Sequence, residues 1–361
     1  MRVAILGAGA GGAAAVAELV QAGHDVVLWG RSHSTLDAFR AAGGVEYEGV
    51  LGSGTARLAA ITSNLDDACA GSDVLVCALP TFAHAPVARE LAASGWGVER
   101  PIVLNPGHTG GALEFSTAFE AVGAAAPAVA ELSTLTYVAR KYQAQRVTVT
   151  GRAKAVRVAA LPRGARAIEA ACRLFPGVQP VPDVLNSSLA NVNMVLHPPG
   201  AVLGATWVEA KKGDFTFYVD GMTAGVARVM RALDEERLAV ARVCGHDLPN
   251  LIGEMQRIGT VEESVTDTRN YAAAIAAGAA NRRIKAPDSL AHRYYREDFG
   301  HGLLPFLAFA AIAGVATPTA QALFELGETL TGSRFRESGR TAWAMGIAGR
   351  DLDALRKLVR P

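Results

Sequence analysis

Cysteine is scarce in this chain of 361 residues. The four present, Cys69, Cys77, Cys172 and Cys244, are far apart, with no CxxC pair and no histidine at ligand spacing. That excludes a disulfide scaffold and a cysteine-built zinc site, and points to a reduced, cytoplasmic protein without a metal. Charge of one sign is missing too. Thirty-five basic and 34 acidic residues leave a net charge of +1, so no basic field exists to attract nucleic acid or an anionic membrane surface. Long hydrophobic runs are absent. The longest, Leu303 to Ala313, contains Pro305 and falls short of the ~20 residues a membrane span needs. It reads as a buried helix. The apolar start of the chain is punctuated by glycine with no basic segment ahead of it, which fits a strand and a helix rather than a signal peptide. No internal repeat is found, and no low-complexity tract beyond an enrichment in alanine. Half the residues are hydrophobic and 19% are charged, so a folded core is expected, and the length suggests two or three domains.

The feature that is present in strength is Gly7-Ala8-Gly9-Ala10-Gly11-Gly12, directly after the apolar run Arg2-Val3-Ala4-Ile5-Leu6 and ahead of the alanine-rich stretch Ala13 to Val20. Strand, glycine turn and helix are the parts of a βαβ unit that binds a nicotinamide or flavin dinucleotide. Gly7 lets the turn be tight, Gly9 lets the backbone approach a pyrophosphate and Gly12 lets helix and strand pack closely. The first helical N–H groups, from Ala10 on, then face the phosphates. A glycine turn in a sheet that binds nothing is the plainer alternative. Further apolar runs follow at Asp25 to Trp29, Leu58 to Thr62, Asp73 to Ala78, Pro101 to Asn105 and Ala128 to Leu132. Helical stretches at Ser34 to Ala42, Leu65 to Ala70, His84 to Ala93 and Gly111 to Val122 alternate with them. This alternation predicts a mostly parallel, doubly wound sheet. Arg146 to Thr150 and Ala155 to Ala159 flank Gly151 and read as an antiparallel addition at the sheet edge. A helix over Ala165 to Leu174 and a short strand near Val178 to Val181 close this half. Pro176, Pro180 and Pro182 then mark a boundary, beyond which Ser187 to Leu196, Thr223 to Cys244 and Pro318 to Leu330 carry helical periodicity. The expected architecture is an α/β dinucleotide-binding (Rossmann) domain over 1–183 and an all-α domain over 184–361.

An acidic residue at the end of the second strand usually holds the ribose 2′-hydroxyl of NAD. Here the strand ends Leu28-Trp29-Gly30-Arg31-Ser32, without a carboxylate. Arg31 is a charged fork suited to a 2′-phosphate and Ser32 adds a donor, so NADP(H) is favoured, with NAD(H) and an Arg31 stacked on adenine as the alternative. Asp37 lies too far along the helix to replace the missing acid. The loop after Ala78, with Leu79 and Pro80, falls beside the cofactor at the carboxyl end of its strand. So does the loop from Asn105 through Gly107, whose helix start at Gly111 can turn N–H groups toward the nicotinamide or a substrate carboxylate. His108 reads as an ordinary loop histidine.

Asn191 to Gly200 is the second strong feature. Asn193 and His197 are four apart and share a helical face, and Pro198 and Pro199 predict a break or kink just after the histidine. An imidazole fixed at a helix end suits proton transfer near neutral pH; a histidine capping the helix C-terminus is the bland alternative. A third stretch, Arg293 to Leu303, reads as a short loop before a buried helix and gathers arginine, tyrosine and carboxylate. Asp298 can accept the second imidazole N–H of His197, and Arg293 can hold a substrate carboxylate. Helix N-capping by Glu297 and Asp298, and solvated surface arginines, are the plain readings of the same residues.

With these motifs in order the sequence resembles the opine dehydrogenases, the octopine and nopaline enzymes among them. The matching stretches are Gly7 to Gly12, Leu104 to Gly107 with Gly110-Gly111, Ala130 to Leu135 with Tyr137 and Arg140, Asn191 to Gly200, Phe217-Tyr218 to Thr223, Asp234 to Arg237, Arg293 to Leu303 and Gly314 to Pro318. The resemblance implies that His197 is the general acid/base, Asp298 its partner and Arg293 a substrate-carboxylate ligand. Asn193, Thr134 and Arg140 join as candidate substrate contacts. It also implies the reaction: reductive condensation of an α-keto acid with an amino acid, or its reverse, with hydride delivered to an imine carbon. Phe299-Gly300-His301 and the basic Tyr295-Arg296 depart from the usual pattern. Small molecules are therefore the expected partners, and Phe306, Phe309 and Trp343 fit either a core or a homodimer interface. Two alternatives stand beside this reading. One is a ketopantoate-reductase-like or glycerol-3-phosphate-dehydrogenase-like NADP enzyme acting on C=O through Lys211 or Lys212. The other is a non-enzymatic dinucleotide-sensing protein.

Overall fold

The computed structural model describes residues 1–97, 99–279 and 281–360, and the chain divides into two compact units. The first comprises 1–107, 111–184 and the end of the chain from 359; the second comprises 108–110 and 185–358.

Among the described residues the first unit is built on twelve strands: β1 (Arg2–Leu6), β2 (Asp25–Trp29), β3 (Val45–Gly49), β4 (Gly54–Ala56), β5 (Ala60–Thr62), β6 (Val74–Cys77), β7 (Ile102–Leu104), β8 (Val129–Leu132), β9 (Tyr137–Gln143), β10 (Arg146–Arg152), β11 (Val156–Ala160) and β12 (Val178–Pro180). Eight of them form one sheet in the order β12-β11-β8-β7-β6-β1-β2-β5. All pairs are parallel except β11 with β8. Its central strands are apolar throughout because helices cover both faces.

A second sheet, β4-β3-β10-β9, lies apart from the first. The expectation of a hairpin added to the main sheet is corrected here: β10 pairs with β3 and β9, while β11 alone joins the large sheet. The helix Ala10–Gln21 packs on both sheets. It is buried from Gly12 to Leu19, which explains its run of alanines: only small side chains fit a helix held on two sides. Glu18, buried on this helix, is met by the Tyr137 hydroxyl and the Arg152 guanidinium of the small sheet.

Among the described residues the second unit is helical but for one isolated bridge, Thr216 to Lys285. Its centre is the helix Val192–Leu203, packed by helices Ala205–Lys211, Ala224–Cys244, Leu251–Ile258, Arg293–Asp298 and Pro318–Thr331. Of the break or kink expected at Pro198 and Pro199, the break does not occur: the helix runs through both. They remove the donors that the carbonyls four residues earlier would meet, yet neighbours on every side hold the backbone in place. The single helix expected over Ser187 to Leu196 is instead two, Val184–Leu189 and Val192–Leu203, separated where Asn191 caps the second through the amide of Asn193 at 3.1 Å. Phe306 and Phe309 are core residues, whereas Trp343 is exposed. Asp234 and Arg237 form a buried clamp. The carboxylate accepts from Arg237 Nε (2.7 Å), the Leu251 amide (2.7 Å) and the Tyr271 hydroxyl (2.6 Å). The guanidinium reaches the carbonyls of Leu189 and Pro249.

Candidate active site

Each glycine of the turn has its own steric reason. Gly7 has φ +126°, and a Cβ there would sit 2.4 Å from the Ala78 carbonyl oxygen. At Gly12 a Cβ would fall 1.8 Å from the Gly7 oxygen. Gly9 has nothing within 4 Å of that position and precedes the helix without a side-chain cap. The first N–H groups of a helix lack helical acceptors, so Gly9 and Ala10 open onto free space with donors and a favourable dipole for an anion. These residues fit a dinucleotide pyrophosphate. At the end of β2, Arg31 is exposed and Ser32 caps the helix His33–Ala41, accepting from the Thr35 amide at 3.3 Å. The Ser32 hydroxyl also accepts from the Thr35 hydroxyl at 3.0 Å and lies 3.1 Å from the Ser34 hydroxyl.

The other expected cofactor contacts lie at the ends of β6 and β7. Leu79 and Pro80 follow β6 as anticipated. The buried Asn105 side chain is tied to Thr136, donating to its hydroxyl at 2.9 Å and accepting from its amide at 3.2 Å. Gly107 is required by packing, since a Cβ would lie 2.4 Å from that of Glu131. The buried Glu131 carboxylate accepts from the Ala112 amide at 2.7 Å, in the first turn of helix Gly111–Glu120. Thr134 and Arg140 belong to the first unit; Arg140 lies on β9, its guanidinium on the Ala139 carbonyl at 2.9 Å.

The second unit brings His197 and Asp298 together. Nδ1 of His197 and Oδ2 of Asp298 are 2.7 Å apart, with both side chains less than a tenth exposed. The other ring nitrogen, Nε2, is 2.7 Å from the Tyr218 hydroxyl. The Tyr294 ring stacks on the imidazole at 3.8 Å and 14°, and its hydroxyl is 3.4 Å from that of Tyr218. Both nitrogens are thus engaged, and the ring is held in orientation by a carboxylate, a phenol and an aromatic face. With a carboxylate at Nδ1, the neutral ring carries its proton there and offers the Nε2 lone pair to the phenol.

Arg293 to Asp298 is a helix rather than a loop, capped by His292, and it continues through a wide turn at Phe299–Leu303 into the helix Leu304–Ala313. Glu297 and Asp298 therefore end a helix instead of capping its start. The helix sets Tyr294 and Asp298 four apart on the His197 side and pairs Arg293 with Glu297 at 3.8 Å. The Arg293 side chain is 59% exposed, which leaves its fork open to a ligand. Asn193, half-buried one helical turn before His197, makes no side-chain hydrogen bond among the described residues.

His108 is not an ordinary loop residue. It is buried, adopts φ +57°, and its Nδ1 lies 3.1 Å from Asn191 Oδ1. Burial lowers its pKa, and the nearby carboxylates of Glu297 and Asp298 oppose that shift. The adjoining Thr109 carbonyl accepts from the fully buried Arg340 guanidinium at 2.6 Å. His301, beside Arg340, is pushed down to about 3 by burial and by that positive charge. Tyr218, Tyr294 and His108 were not assigned roles from sequence. The signal for Tyr294 was its spacing of four from Asp298, which has meaning only on a helix. Lys211 and Lys212 are exposed at a helix end, and neither approaches His197 among the hydrogen bonds and ion pairs of this unit.

Residues 180–331 match the family model described as NAD/NADP octopine/nopaline dehydrogenase, alpha-helical domain. Residues 2–98 match the one described as NADP oxidoreductase coenzyme F420-dependent. The opine dehydrogenase of Arthrobacter sp. (strain 1C) is 31% identical over 363 residues, which cover 99% of this chain and 98% of that protein. The chain belongs to the opine dehydrogenase family. Octopine dehydrogenase solved with NADH and L-arginine superposes with a TM-score of 0.78 at 18% identity, covering 98% of this chain and 97% of that one. Yersinopine dehydrogenase with NADP+ bound gives 0.73 at 17%, covering 99% and 97%. At such identities these two show the shared fold. As an opine dehydrogenase the chain is an NAD(P)-dependent oxidoreductase acting on CH–NH, so the sensing-protein alternative falls. No helix among the described residues is long and apolar enough to cross a membrane.

Proposed function

We propose that this opine dehydrogenase condenses an α-keto acid with the amino group of an amino acid and reduces the resulting imine, with His197 as proton donor and NADPH as the preferred reductant. The observation that carries the reading is the buried 2.7 Å contact between His197 and Asp298. The reduced nicotinamide supplies a hydride to the imine carbon when bound. The imine nitrogen must gain a proton in the same reduction, and His197 gives it. Asp298 fixes the tautomer and stabilises the imidazolium, as carboxylate–histidine pairs do elsewhere. Tyr218 lies on the proton's path because its hydroxyl occupies Nε2: it passes one proton to the substrate nitrogen as it takes another from the imidazolium. Arg293 holds a substrate carboxylate by its exposed fork, and the half-buried Asn193 adds an amide to the substrate contacts. Thr134 and Arg140 are proposed substrate contacts from the first unit.

On this reading 1–183 is the dinucleotide domain and 184–361 the substrate and catalytic domain, in a cytoplasmic enzyme working on small molecules. The preference for NADPH is supported by Arg31 and by the absence of an acid at the end of β2. Comparing NADPH oxidation with a keto acid alone and with keto acid plus amino acids tests the condensation. A C=O reductase consumes NADPH equally in both; an opine-forming enzyme requires the amine.

A further inference from the structure

Lys141 stands on β9 in the small sheet but reaches the glycine turn of the large one. Its ammonium donates to the Ala8 carbonyl at 3.4 Å and sits 4.2 Å over the Phe39 ring. The side chain is half-buried, and no carboxylate among the described residues lies within 4.0 Å of it. The acids on the elements around it are already engaged. Glu18 is met by Arg152 and Tyr137. Glu46 and Glu48 face Arg146 and Thr148 across the small sheet. Asp37, on the helix that carries Phe39, pairs with Arg40.

A partly desolvated cation with one carbonyl and one ring face for company is poorly compensated. Burial holds the Lys141 ammonium below the ordinary lysine pKa, with no counter-charge to restore it. An arriving anion would supply what the protein does not. The carbonyl that Lys141 touches belongs to the residue between the first two glycines of the turn, next to the open space at Gly9. Phe39 lies on the helix that begins just after Arg31 and Ser32. The ammonium therefore stands on the side of the turn where the adenosine half of a dinucleotide rests.

We propose that Lys141 binds a phosphate of the cofactor, delivered to the glycine turn by a strand of the second sheet. The proposal rests on the dinucleotide reading of that turn and not on the condensation chemistry. Two phosphates share this chemistry, the bridging pyrophosphate and the 2′-phosphate, and two cofactors separate them.

The test is fluorescence titration of NADPH and of NADH into the full-length chain and into Lys141→Met, which keeps the aliphatic stem over Phe39. A charge-assisted contact predicts that NADPH binds roughly tenfold or more weakly to the variant, with Lys141→Arg recovering most of the affinity. Equal weakening for NADH assigns the pyrophosphate; weakening confined to NADPH assigns the 2′-phosphate. Should Lys141→Met not fold, Lys141→Gln is read in the same way. Wild-type affinity for both cofactors in a folded variant overturns the proposal. A wild-type chain that binds neither cofactor overturns it together with the dinucleotide reading, whereas a chain that binds NADPH but shows no amino-acid dependence contradicts only the condensation.

Discussion

At the scale of single residues the account rests on one imidazole. General acid–base groups contribute ~10²–10⁴-fold, so His197→Ala is expected to lose at least a hundredfold in kcat while NADPH binding, read by fluorescence, is unchanged. On the proposed mechanism Asp298→Asn removes the charge that stabilises the imidazolium and should also lower kcat. Tyr218→Phe deletes the hydroxyl at Nε2 and nothing else. A fall in kcat of about a hundredfold with a changed pH profile supports its place on the proton path, and unaltered turnover removes it. His301 gives a stability prediction. Its folded pKa of about 3 lies below the ~6.5 of a free histidine, with burial the main cause. The unfolded chain therefore takes up a proton that the folded one refuses. The stability His301 contributes is complete above pH ~6.5 and is lost toward pH 3 at about 1.4 kcal/mol per pH unit. Urea unfolding of His301→Asn across that range should show a slope shallower by about one proton. The contact between His197 and Asp298 was readable from sequence because each belongs to a motif of matching residues. His108 was not: its burial, its left-handed backbone and its bond to Asn191 depend on contacts 83 positions away, which no local pattern carries.

At the scale of elements the glycine turn was legible because its glycines answer to local sterics. Gly12→Ala would place a Cβ 1.8 Å from the Gly7 oxygen and should cost ~1–3 kcal/mol, as overpacking does, with loss of cofactor binding; thermal melting and NADPH titration read both. Other elements were misjudged for definable reasons. Pro198 and Pro199 were expected to break or kink a helix, and the break did not occur because intrinsic proline cost yielded to a helix buried among five others. Arg293 to Asp298 looked like a loop because it is short, polar and aromatic, and at six residues it has little periodicity to display. The small sheet was hidden because β3 and β4 are short and polar on one face. Val45 and Ala56 are buried while Glu46 and Glu48 turn outward to Arg146 and Thr148. Its existence becomes intelligible only with the alanine helix beneath it.

At the scale of the whole molecule the residues of the proposed chemistry divide between the two units. The first carries the glycine turn, Arg31 and Lys141; the second carries His197, Asp298, Tyr218, Tyr294 and Arg293. The alternation of strands and helices and the later loss of β signal made this division readable. The placing of 108–110 with the helical unit was beyond reach, because those three residues follow a strand and precede a helix of the other unit. The most direct test of the central claim is the initial rate of NADPH oxidation with an α-keto acid, measured with and without a panel of amino acids. The account predicts negligible oxidation by keto acid alone and rapid oxidation once an accepted amino acid is added. Oxidation that proceeds at the same rate without any amine would contradict it.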